Sequence, residues 1–312
     1  MRKRVVITGA TGFIGEATVR EFIKHGFEVI ALIRPDSNLS RLENLINSIR
    51  FITYCKLTDP HLVDELSDMP VNIFIHAAWR GVKGNDRNEA FQILDNIPLT
   101  IHSVDLAHKL GCRQWIGLGS QAEYGNLNKV ISEDSPNAPT TTYGKAKLAA
   151  GITGLGLCES YGLKGAWLRV FSTYGPTDAP HWFLPYVIQE FLAKRAPQLT
   201  KCEQLWDYLH VEDAARAVHS VASSNACGVF NLGSGMSRPL KNYIETIRKI
   251  LNSNLVPDYG AIPYRPDQVM HLEADISRLQ RVTGWQPSVN LIDGFTQTVE
   301  FEQMRKKRNE YL

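Results

Sequence analysis

The sequence predicts an α/β protein whose larger part is a doubly wound parallel Rossmann sheet, followed by a smaller C-terminal α/β lobe. A short apolar run passes through a glycine-rich turn into a helical pattern and a second apolar run, within about thirty residues, as in a βαβ unit. Apolar runs and helical stretches then keep alternating, which is typical of a parallel sheet covered by helices on both faces. The length of 312 residues allows one large domain with an appended lobe.

The predicted elements of the first lobe follow in chain order. Residues 5–8 form the first strand, residues 17–25 the first helix, which Gly26 closes, and residues 28–33 the second strand. Further strands are predicted at residues 51–54, 72–76, 113–118 and 165–170, with helical stretches between them. We assign residues 1–175 to a dinucleotide-binding domain built on these strands.

The alternation of apolar runs with helical stretches ends at the start of the second lobe. Closely spaced prolines interrupt it, namely Pro176, Pro180, Pro185 and Pro197. We assign residues 176–312 mainly to a substrate-binding lobe. The run at residues 228–233 has the pattern of one more strand, which leaves open a return of the chain to the first sheet. Helical apolar spacing follows at residues 241–251 and 291–305.

Composition and charge exclude several classes of protein. Hydrophobic residues make up 44% of the chain and charged residues 21%, as in a globular protein. No apolar run approaches the roughly 20 residues that span a bilayer, and the N-terminal apolar stretch is too short for a signal peptide. The five cysteines show no Cys-x-x-Cys pair and the histidines no ligand spacing, so neither a disulfide framework nor a metal site is expected. We expect a soluble cytoplasmic protein, and the net charge of +2 argues against nucleic-acid binding.

The glycine-rich turn is a candidate dinucleotide site. Gly9, Gly12 and Gly15 are spaced three residues apart, directly after a strand and at the start of a helix. Glycines at such positions permit a tight turn and let backbone N–H groups and the helix N-terminus approach a pyrophosphate. A glycine triplet alone is a weak signal, but this one stands in the structural context that the motif requires. We therefore expect dinucleotide binding here.

The end of the second strand indicates which dinucleotide is bound. An acidic residue there accepts hydrogen bonds from the adenosine ribose, whereas an arginine favours the 2′-phosphate. This chain has Ile33 followed by Arg34, with Ser37 within reach. These residues favour NADP(H), although Asp36 could still bind a ribose hydroxyl. NAD remains the alternative cofactor.

Tyr143 and Lys147 form a candidate catalytic pair. Their spacing of four residues places both side chains on one face of a predicted helix. A tyrosine with a pKa near 10 is a poor acid or base at neutral pH, but a neighbouring ammonium stabilises the phenolate and lowers that pKa. Ser120 stands at the end of the preceding predicted strand. In a chain that also carries a dinucleotide loop, these three residues predict a catalytic site rather than an unrelated tyrosine and lysine on the surface.

The motifs occur in a fixed order that resembles the NAD-dependent epimerase/dehydratase family, the extended short-chain dehydrogenases/reductases. Besides the glycine loop, Ser120 and the Tyr143 and Lys147 pair, the matching segments are residues 76–78, 168–176, 206–213 and 230–235. The resemblance runs nearly from end to end of the chain. Members of that family are mostly nucleotide-sugar epimerases, dehydratases and reductases, so the resemblance implies a nucleotide-sugar substrate.

The resemblance also implies a role for each site residue. Tyr143 would exchange a proton with the sugar hydroxyl or ketone, Lys147 would bind the nicotinamide ribose and lower the tyrosine pKa, and Ser120 would hydrogen-bond the reacting oxygen. Asn96 matches an asparagine that helps to hold a water near the lysine, with a helix-surface amide as the competing interpretation. His76 is either a cofactor-lining residue or a packed histidine at a strand end.

The expected site residues fall into two groups. For the cofactor they are Gly9, Thr11, Gly12, Phe13, Ile14, Gly15, Arg34, Ser37, Leu57, Ala77, Ala78, Asn96, Tyr143 and Lys147. For the substrate they are Trp79, Arg80, Ser120, Gln121, Glu123, Ser172 and Arg265. Arg265 is expected to bind a phosphate, because a guanidinium group matches phosphate oxygens well.

The sequence departs from the family pattern directly after Ser120. Sugar dehydratases carry an Asp-Glu pair there, which supplies the acid and base that expel water, whereas this chain has Gln121 and Ala122. Glu123 follows one position later and is expected to bind a substrate hydroxyl or to be a structural carboxylate. Trp206 stands where family members often have an arginine. The sequence therefore disfavours dehydration.

These observations favour a nucleotide-sugar 4-ketoreductase, in which NADP(H) reduces the C4 ketone of a deoxy-keto sugar and Tyr143 supplies the proton. The alternative is a C4 epimerase that uses the same residues with a tightly bound NAD. From another class, a non-catalytic protein that senses NADP(H) and binds a partner would not need the complete set of Ser120, Tyr143 and Lys147. Apolar spacing at residues 91–104 and 148–155 fits helices that pack on the sheet. The resemblance implies, in addition, that the remaining apolar surface of these helices forms a helix-bundle homodimer.

Overall fold

The computed structural model describes residues 3–66 and 70–310. Its strands are β1 (Arg4–Thr8), β2 (Glu28–Ile33), β3 (Ile49–Thr53), β4 (Ile73–His76), β5 (Gln114–Ser120), β6 (Lys129–Ile131), β7 (Lys164–Val170), β8 (Ser172–Tyr174), β9 (Gln198–Leu199), β10 (Leu205–His210), β11 (Gly228–Leu232), β12 (Ser237–Pro239), β13 (Asp258–Tyr259) and β14 (His271–Ala274). Its α-helices are α1 (Phe13–Lys24), α2 (Pro60–Leu66), α3 (Phe91–Leu94), α4 (Asn96–Lys109), α5 (Thr142–Ser160), α6 (Phe183–Leu192), α7 (Val211–Ser224), α8 (Leu240–Ile250), α9 (Ser277–Thr283) and α10 (Leu291–Glu310). Short 3₁₀ helices cover Ser40–Ser48, Gly84–Asn88 and Gln121–Glu123.

Seven strands form the sheet of the first lobe in the order β11–β7–β5–β4–β1–β2–β3, and every neighbouring pair is parallel. The order runs outward from β1 in both directions, so the predicted doubly wound Rossmann sheet is confirmed. Residues beyond 175 complete it, because β11 pairs with β7 at its edge. The assignment of residues 1–175 and 176–312 to two domains stays a prediction.

The observed elements differ from the predicted ones by a few residues at their ends. The first helix begins at Phe13 rather than at residue 17, and the last one continues to Glu310 rather than ending at residue 305. β3 is shifted to Ile49–Thr53, and β5 continues to Ser120. Apolar periodicity marks the buried middle of an element, whereas backbone hydrogen bonds decide where it ends.

Helices cover both faces of the large sheet. On one face, α1 and α7 bury apolar side chains such as Phe22 and Val218 against the strands. On the other face, α4 and α5 pack around Trp115 and Trp167, whose stacked rings have centroids 6.0 Å apart. The sheet is therefore buried on both sides, as parallel sheets generally are.

The second lobe is built on a smaller sheet. Its strand order is β12–β10–β14–β6, and β8 pairs with the end of β10. Helices α6, α8 and α10 pack in a core of their own around Ile188, Tyr243 and Phe295. Because β8 follows β7 directly, this lobe lies beside the carboxyl ends of the large sheet. Over the described residues, no helix combines the length and apolar character that crossing a membrane requires.

Candidate active site

A cleft of about 570 Å³ lies at the carboxyl ends of β1, β4, β5 and β7, where the second lobe meets the sheet. Ligands of doubly wound proteins bind at this edge. The structure brings many of the expected site residues together on its wall. They are Gly9, Gly12, Phe13, Ile14, Gly15, Ala77, Trp79, Ser120, Gln121, Tyr143, Lys147 and Ser172.

The glycine loop presents backbone N–H groups at one end of the cleft. Gly9 has a φ of 71°, and a Cβ there would lie 2.5 Å from the carbonyl carbon of Ala77, so only glycine fits. Gly12 precedes α1, and no side chain caps the helix. The first N–H groups of α1, which begins at Phe13, therefore lack partners within the helix and can bind a pyrophosphate. This geometry fits a dinucleotide.

No acidic residue stands at the C-terminal end of β2, which is Ile33. The backbone N–H of Arg34 donates to Oγ of Ser37 at 2.9 Å, which closes a turn. The guanidinium of Arg34 is 61% exposed and lies 3.8 Å from the carboxylate of Asp36, which is 80% exposed. Both side chains are therefore free to reorient toward a bound adenosine ribose.

Ser120 and Tyr143 meet inside the cleft. Tyr143 lies in the first turn of α5, which the side chain of Thr141 caps by accepting a hydrogen bond from the N–H of Gly144 at 3.1 Å. A Cβ at Gly144 would lie 2.4 Å from the carbonyl oxygen of Ala122, so glycine lets α5 approach the turn after β5. The side chains of Ser120 and Tyr143 then both line the cleft, and Ser120 lies near enough to lower the pKa of the tyrosine. Together they can hold one ketone or hydroxyl oxygen.

The pKa of Tyr143 is set by opposing effects. Burial raises the pKa above its ordinary value, while the hydrogen bond from Ser120 and the charge of Arg87 lower it, and the charge of Glu123 raises it. The guanidinium carbon of Arg87 lies 4.7 Å from the centroid of the tyrosine ring. The cation that acts on the phenol in this structure is therefore an arginine that the sequence did not single out.

Lys147 lies on the cleft wall together with Tyr143. Its ammonium donates to the carbonyl oxygen of Leu118 at 2.6 Å and lies 3.7 Å from the centroid of the Trp79 ring. Burial lowers the pKa of Lys147 to about 7, and the charge of Glu123 opposes this shift. Its expected roles, binding the nicotinamide ribose and lowering the pKa of Tyr143, stay predictions.

His76 and Asn96 are both engaged in packing contacts. His76 is fully buried, with hydrogen bonds to the hydroxyls of Thr8 at 2.9 Å and Thr100 at 3.3 Å, and burial together with the charge of Lys147 lowers its pKa to about 3. It is thus the packed strand-end histidine. The amide of Asn96 accepts from the N–H of Arg80 at 2.9 Å and donates to its carbonyl at 3.0 Å, so it holds the loop after β4, and its part in holding a water stays a prediction.

Glu123 requires a correction, because its carboxylate lies in the protein interior and not on the cleft wall. It accepts hydrogen bonds from the N–H of Ser120 at 2.8 Å, Nε1 of Trp167 at 2.9 Å and Nε of Arg169 at 2.7 Å. All of its side chain is buried. The residue is a structural carboxylate that fixes the turn carrying Ser120, and a contact with substrate is sterically blocked.

Other expected site residues lie outside the cleft. Arg265 is 75% exposed in a loop, 4.0 Å from the carboxylate of Asp267. The guanidinium of Arg80 pairs with Asp95 at 2.7 Å and lies over the ring of Phe91. Three more do not line the cleft wall, namely Thr11, Leu57 and Ala78. The structure thus leaves these five assignments without a contact in the cleft.

The cleft also contains charged and aromatic residues that the sequence did not reveal. They are Lys83, Arg87, Asp178, His181 and Trp182. Asp178 is largely buried, which raises its pKa to about 7. These residues stand in loops without periodicity or motif, so no pattern in the sequence could have selected them. Trp206, which the sequence shows at a position where family members often have an arginine, also lies on the cleft wall. Its Nε1 donates to Oγ of Ser172 at 2.8 Å.

A cluster of metal-ligating side chains lies away from the cleft, between α1 and α7. The ligand atoms of Glu21, His25 and His219 all lie within 4.8 Å of one another. His25 donates to or accepts from Glu21 at 3.0 Å, and its ring stacks on that of His219 at 3.8 Å. Glu21 lies in the last turns of α1 and His25 directly follows the helix, so their spacing of four residues brings both side chains to one face.

Comparison with known proteins places the chain among nucleotide-sugar enzymes. The model of the NAD dependent epimerase/dehydratase family matches residues 5–233. A UDP-glucose 4-epimerase of Mycolicibacterium smegmatis is 27% identical over 310 residues, which cover 96% of this chain and 98% of the relative. A UDP-N-acetylglucosamine 4-epimerase from Methanobrevibacter ruminantium, solved with UDP-N-acetylmuramic acid, is 25% identical with a TM-score of 0.86, covering 97% of this chain and 99% of that one. The solved structure of MoeE5 with UDP-glucuronic acid and NAD is 27% identical with a TM-score of 0.80, over 97% and 99% of the two chains.

Proposed function

The chain belongs to the NAD-dependent epimerase/dehydratase family and is an enzyme, and from this premise we propose that it reduces the C4 ketone of a nucleotide-linked deoxy-keto sugar with NADP(H). One observation carries the proposal. Ser120 and Tyr143 lie together on the cleft wall, while Gln121 and Ala122 stand where a dehydratase needs an acid and a base. Glu123, the nearest carboxylate in sequence, is locked in an ion pair with Arg169. The site can therefore transfer a proton to a carbonyl oxygen but lacks that means of expelling water.

Ser120 and Tyr143 have different roles in the proposed reduction. Ser120 donates a hydrogen bond to the carbonyl oxygen, and Tyr143 transfers the phenolic proton to the same oxygen as it becomes an alkoxide. When bound, NADPH supplies the hydride that the carbonyl carbon takes up. The ketone, one hydride and one proton give the alcohol and NADP⁺, so the reaction is balanced. Tyr143 then recovers a proton from solvent.

The preference for NADP(H) rests on the end of β2. No acidic residue follows Ile33 directly, and the next residue is Arg34, whose exposed guanidinium can bind a 2′-phosphate. Asp36, 3.8 Å away, would be repelled by the phosphate and released from the arginine. The glycine loop and the uncapped N-terminus of α1 suit the pyrophosphate of either dinucleotide.

The second candidate is a C4 epimerase with tightly bound NAD. The favouring observation is the likeness to two 4-epimerases and to a structure that holds NAD. An epimerase would use Ser120 and Tyr143 in both directions: the proton would leave the C4 hydroxyl and later return. The two candidates differ in whether the cofactor leaves the protein after each turnover.

A homodimer through α3 and α5 is part of the proposal. Leu94, on α3, is 70% exposed, and Ile152, on α5, is 64% exposed, and both belong to the apolar stretches for which the resemblance implies a helix bundle. A second copy of the chain would cover both side chains across a two-fold axis.

The deciding experiment starts from the purified protein. The bound dinucleotide is released by denaturation and identified, and oxidation of NADPH and NADH is followed by absorbance with a nucleotide-linked 4-keto-6-deoxysugar. An empty site together with NADPH-dependent reduction is the expected result. Co-purifying NAD without net oxidation, together with interconversion of 4-epimers, would replace the ketoreductase by the epimerase.

A further inference from the structure

Arg87 lies beside the tyrosine of the cleft, in the 3₁₀ helix Gly84–Asn88 that follows β4. Its side chain lines the cleft, and its guanidinium carbon is 4.7 Å from the centroid of the Tyr143 ring. The ring of Trp79 contacts the same tyrosine edge to face, with centroids 6.0 Å apart. The phenol that reacts is therefore in contact with both a guanidinium and an indole.

Hydrogen bonds fix the segment that carries Arg87. The buried amide of Gln92 donates to the carbonyl oxygen of Asp86 at 2.9 Å. The side-chain oxygen of Asn88 accepts from the N–H of Thr142 at 3.2 Å, one residue before the catalytic tyrosine. These hydrogen bonds hold the segment of Arg87 against the start of α5, so the arginine keeps its position beside the tyrosine, as a preorganised site requires.

One donor of Arg87 has no acceptor. Its Nε atom is buried and makes no hydrogen bond to any residue in the described part of the chain. A buried donor without an acceptor costs free energy, and such a group in a native protein calls for an explanation. The unpaired Nε is closed off from the cleft, but Arg87 lines the cleft with the rest of its side chain, so the terminal nitrogens of the guanidinium can donate to an oxygen atom of a bound ligand.

Arg87 is also the permanently charged cation that lowers the pKa of the reacting phenol. The ammonium of Lys147 donates to the carbonyl oxygen of Leu118, and burial lowers the pKa of this lysine to about 7. A guanidinium, by contrast, stays protonated under all physiological conditions. The charged groups that act on Tyr143 are Arg87, from the loop after β4, and Glu123, from the turn after β5, with opposite effects on its pKa.

We propose that Arg87 is a substrate-contacting residue of this catalytic centre, where its guanidinium donates to the sugar hydroxyl on the carbon next to the ketone. Its charge then favours the negative charge that collects on the ketone oxygen during reduction. This inference rests on the proposed function, because it takes the C4 ketone to lie against Ser120 and Tyr143. The preferred substrate is accordingly an α-hydroxy ketone, with an oxygen at C3, rather than a 3-deoxy sugar.

The test compares three variants of the full-length protein. Arg87→Gln is expected to lower kcat/KM for the 4-keto sugar at least about tenfold, which is the size of one charge-assisted hydrogen bond. Arg87→Lys should restore part of that loss, because it keeps the charge without the fork. Arg195→Gln, which breaks an exposed ion pair with Glu190, is the matched control and should leave kcat/KM unchanged.

Two readouts separate a substrate contact from a structural role. A 3-deoxy substrate should lose the same factor with the wild type but nothing further with Arg87→Gln, since both changes delete one hydrogen bond. Reduction needs a protonated Tyr143, so its rate falls at high pH. Without the Arg87 charge the tyrosine pKa rises, and this fall should move to higher pH in Arg87→Gln but not in Arg87→Lys.

Failure of this inference can be distinguished from failure of the proposed function. If the wild type reduces no keto sugar, the proposed function is wrong, and binding of UDP-glucose to the NADP-loaded protein, measured by calorimetry, still tests Arg87. Weaker binding to Arg87→Gln than to Arg195→Gln would support the contact. Equal binding, an unchanged kcat/KM in Arg87→Gln, or a further loss of Arg87→Gln on the 3-deoxy substrate would overturn it.

Discussion

The guanidinium of Arg169 and the carboxylate of Glu123 form an ion pair in the protein interior, with Nε 2.7 Å from Oε2 and side chains that are 5% and 0% exposed. The same carboxylate accepts the N–H of Ser120 and closes a capping box on the turn after β5. The pair therefore joins β7 to the turn that presents the serine. Of the two roles that the sequence allowed for Glu123, substrate ligand or structural carboxylate, the structure shows the second, because the carboxylate supports the turn that carries Ser120.

Breaking this pair should destabilise the protein. Glu123→Gln leaves the buried Arg169 without a counter-charge, which is expected to cost about 3–5 kcal/mol of unfolding free energy. Urea denaturation followed by circular dichroism measures the loss. Asp134→Asn, in an exposed pair with Arg278, is the control and should cost less than about 1 kcal/mol. A similar small loss for both variants would mean that the buried pair does not hold the turn.

Removal of the phenolic hydroxyl should abolish proton transfer. Tyr143→Phe is expected to lower kcat about 10²–10⁴-fold, because the general acid is gone. NADPH binding, measured by fluorescence, should stay within about twofold, because the ring remains in place. Tyr161→Phe removes a hydroxyl that bonds Asp105 at the surface and serves as the control. Full activity of Tyr143→Phe would contradict the assignment of this residue.

The arginine after β2 should determine the choice of dinucleotide. Arg34→Ala is expected to weaken NADPH binding by about 1.5–3 kcal/mol, the usual size of a charged hydrogen bond to phosphate, with little effect on NADH. Titration calorimetry with both dinucleotides measures the ratio of affinities. Arg20→Ala, on the exposed side of α1, should leave that ratio unchanged. An equal loss for NADPH and NADH would show that Arg34 does not bind the 2′-phosphate.

The buried carboxyl of Asp178 should make stability depend on pH. Burial raises its pKa from 3.8 to about 7, so between these values the folded protein holds a proton that the unfolded chain has released. Unfolding free energy from this group therefore falls as pH rises through that interval and stays low above it. Asp178→Asn should raise the urea midpoint more at about pH 8 than at about pH 4.

The control for that experiment is Asp36→Asn, whose carboxylate is exposed beside the end of β2. It should shift the midpoint little and equally at both pH values. If Asp178→Asn behaves in the same way, the carboxyl of Asp178 is ionised in the folded protein, and the pH dependence has another origin.

Exposed apolar side chains should mediate dimer formation. Sedimentation at micromolar concentration is expected to give twice the monomer mass of 35.0 kDa, and Leu94→Asp combined with Ile152→Asp should give the monomer. Val256→Asp, at an equally exposed apolar residue of the second lobe, is the control and should leave the dimer intact. A wild-type monomer would refute this part of the proposal.

Several features of the site were predictable because they are local in the sequence. Gly9, Gly12 and Gly15 stand between a strand and a helix, and the turn they make depends only on their own missing side chains and on their immediate neighbours. Tyr143 and Lys147 share a helix face because an α-helix places residues four apart on one side. The parallel sheet followed in the same way from short apolar runs that alternate with helices.

Other features could not be predicted, because they depend on which distant segments pack together. The amide of Asn96 binds the backbone of Arg80, and Arg265 lies in an exposed loop beside Asp267, neither of which the sequence indicated. The orientation of each side chain depends on partners that sequence spacing does not reveal. Asp178 and Arg87 were missed for the same reason.

The Rossmann topology, the glycine loop and the shared helix face of Tyr143 and Lys147 could be predicted from the sequence, since each of these follows from periodicity or from spacing within one element. Only the tertiary structure decided how those residues are charged and supported. It buried Glu123 against Arg169, placed Lys147 against the carbonyl of Leu118 and brought Arg87 over the ring of Tyr143. Burial and the distances between charges set pKa values and hydrogen-bond partners, and both come into being only when segments far apart in the chain pack against each other.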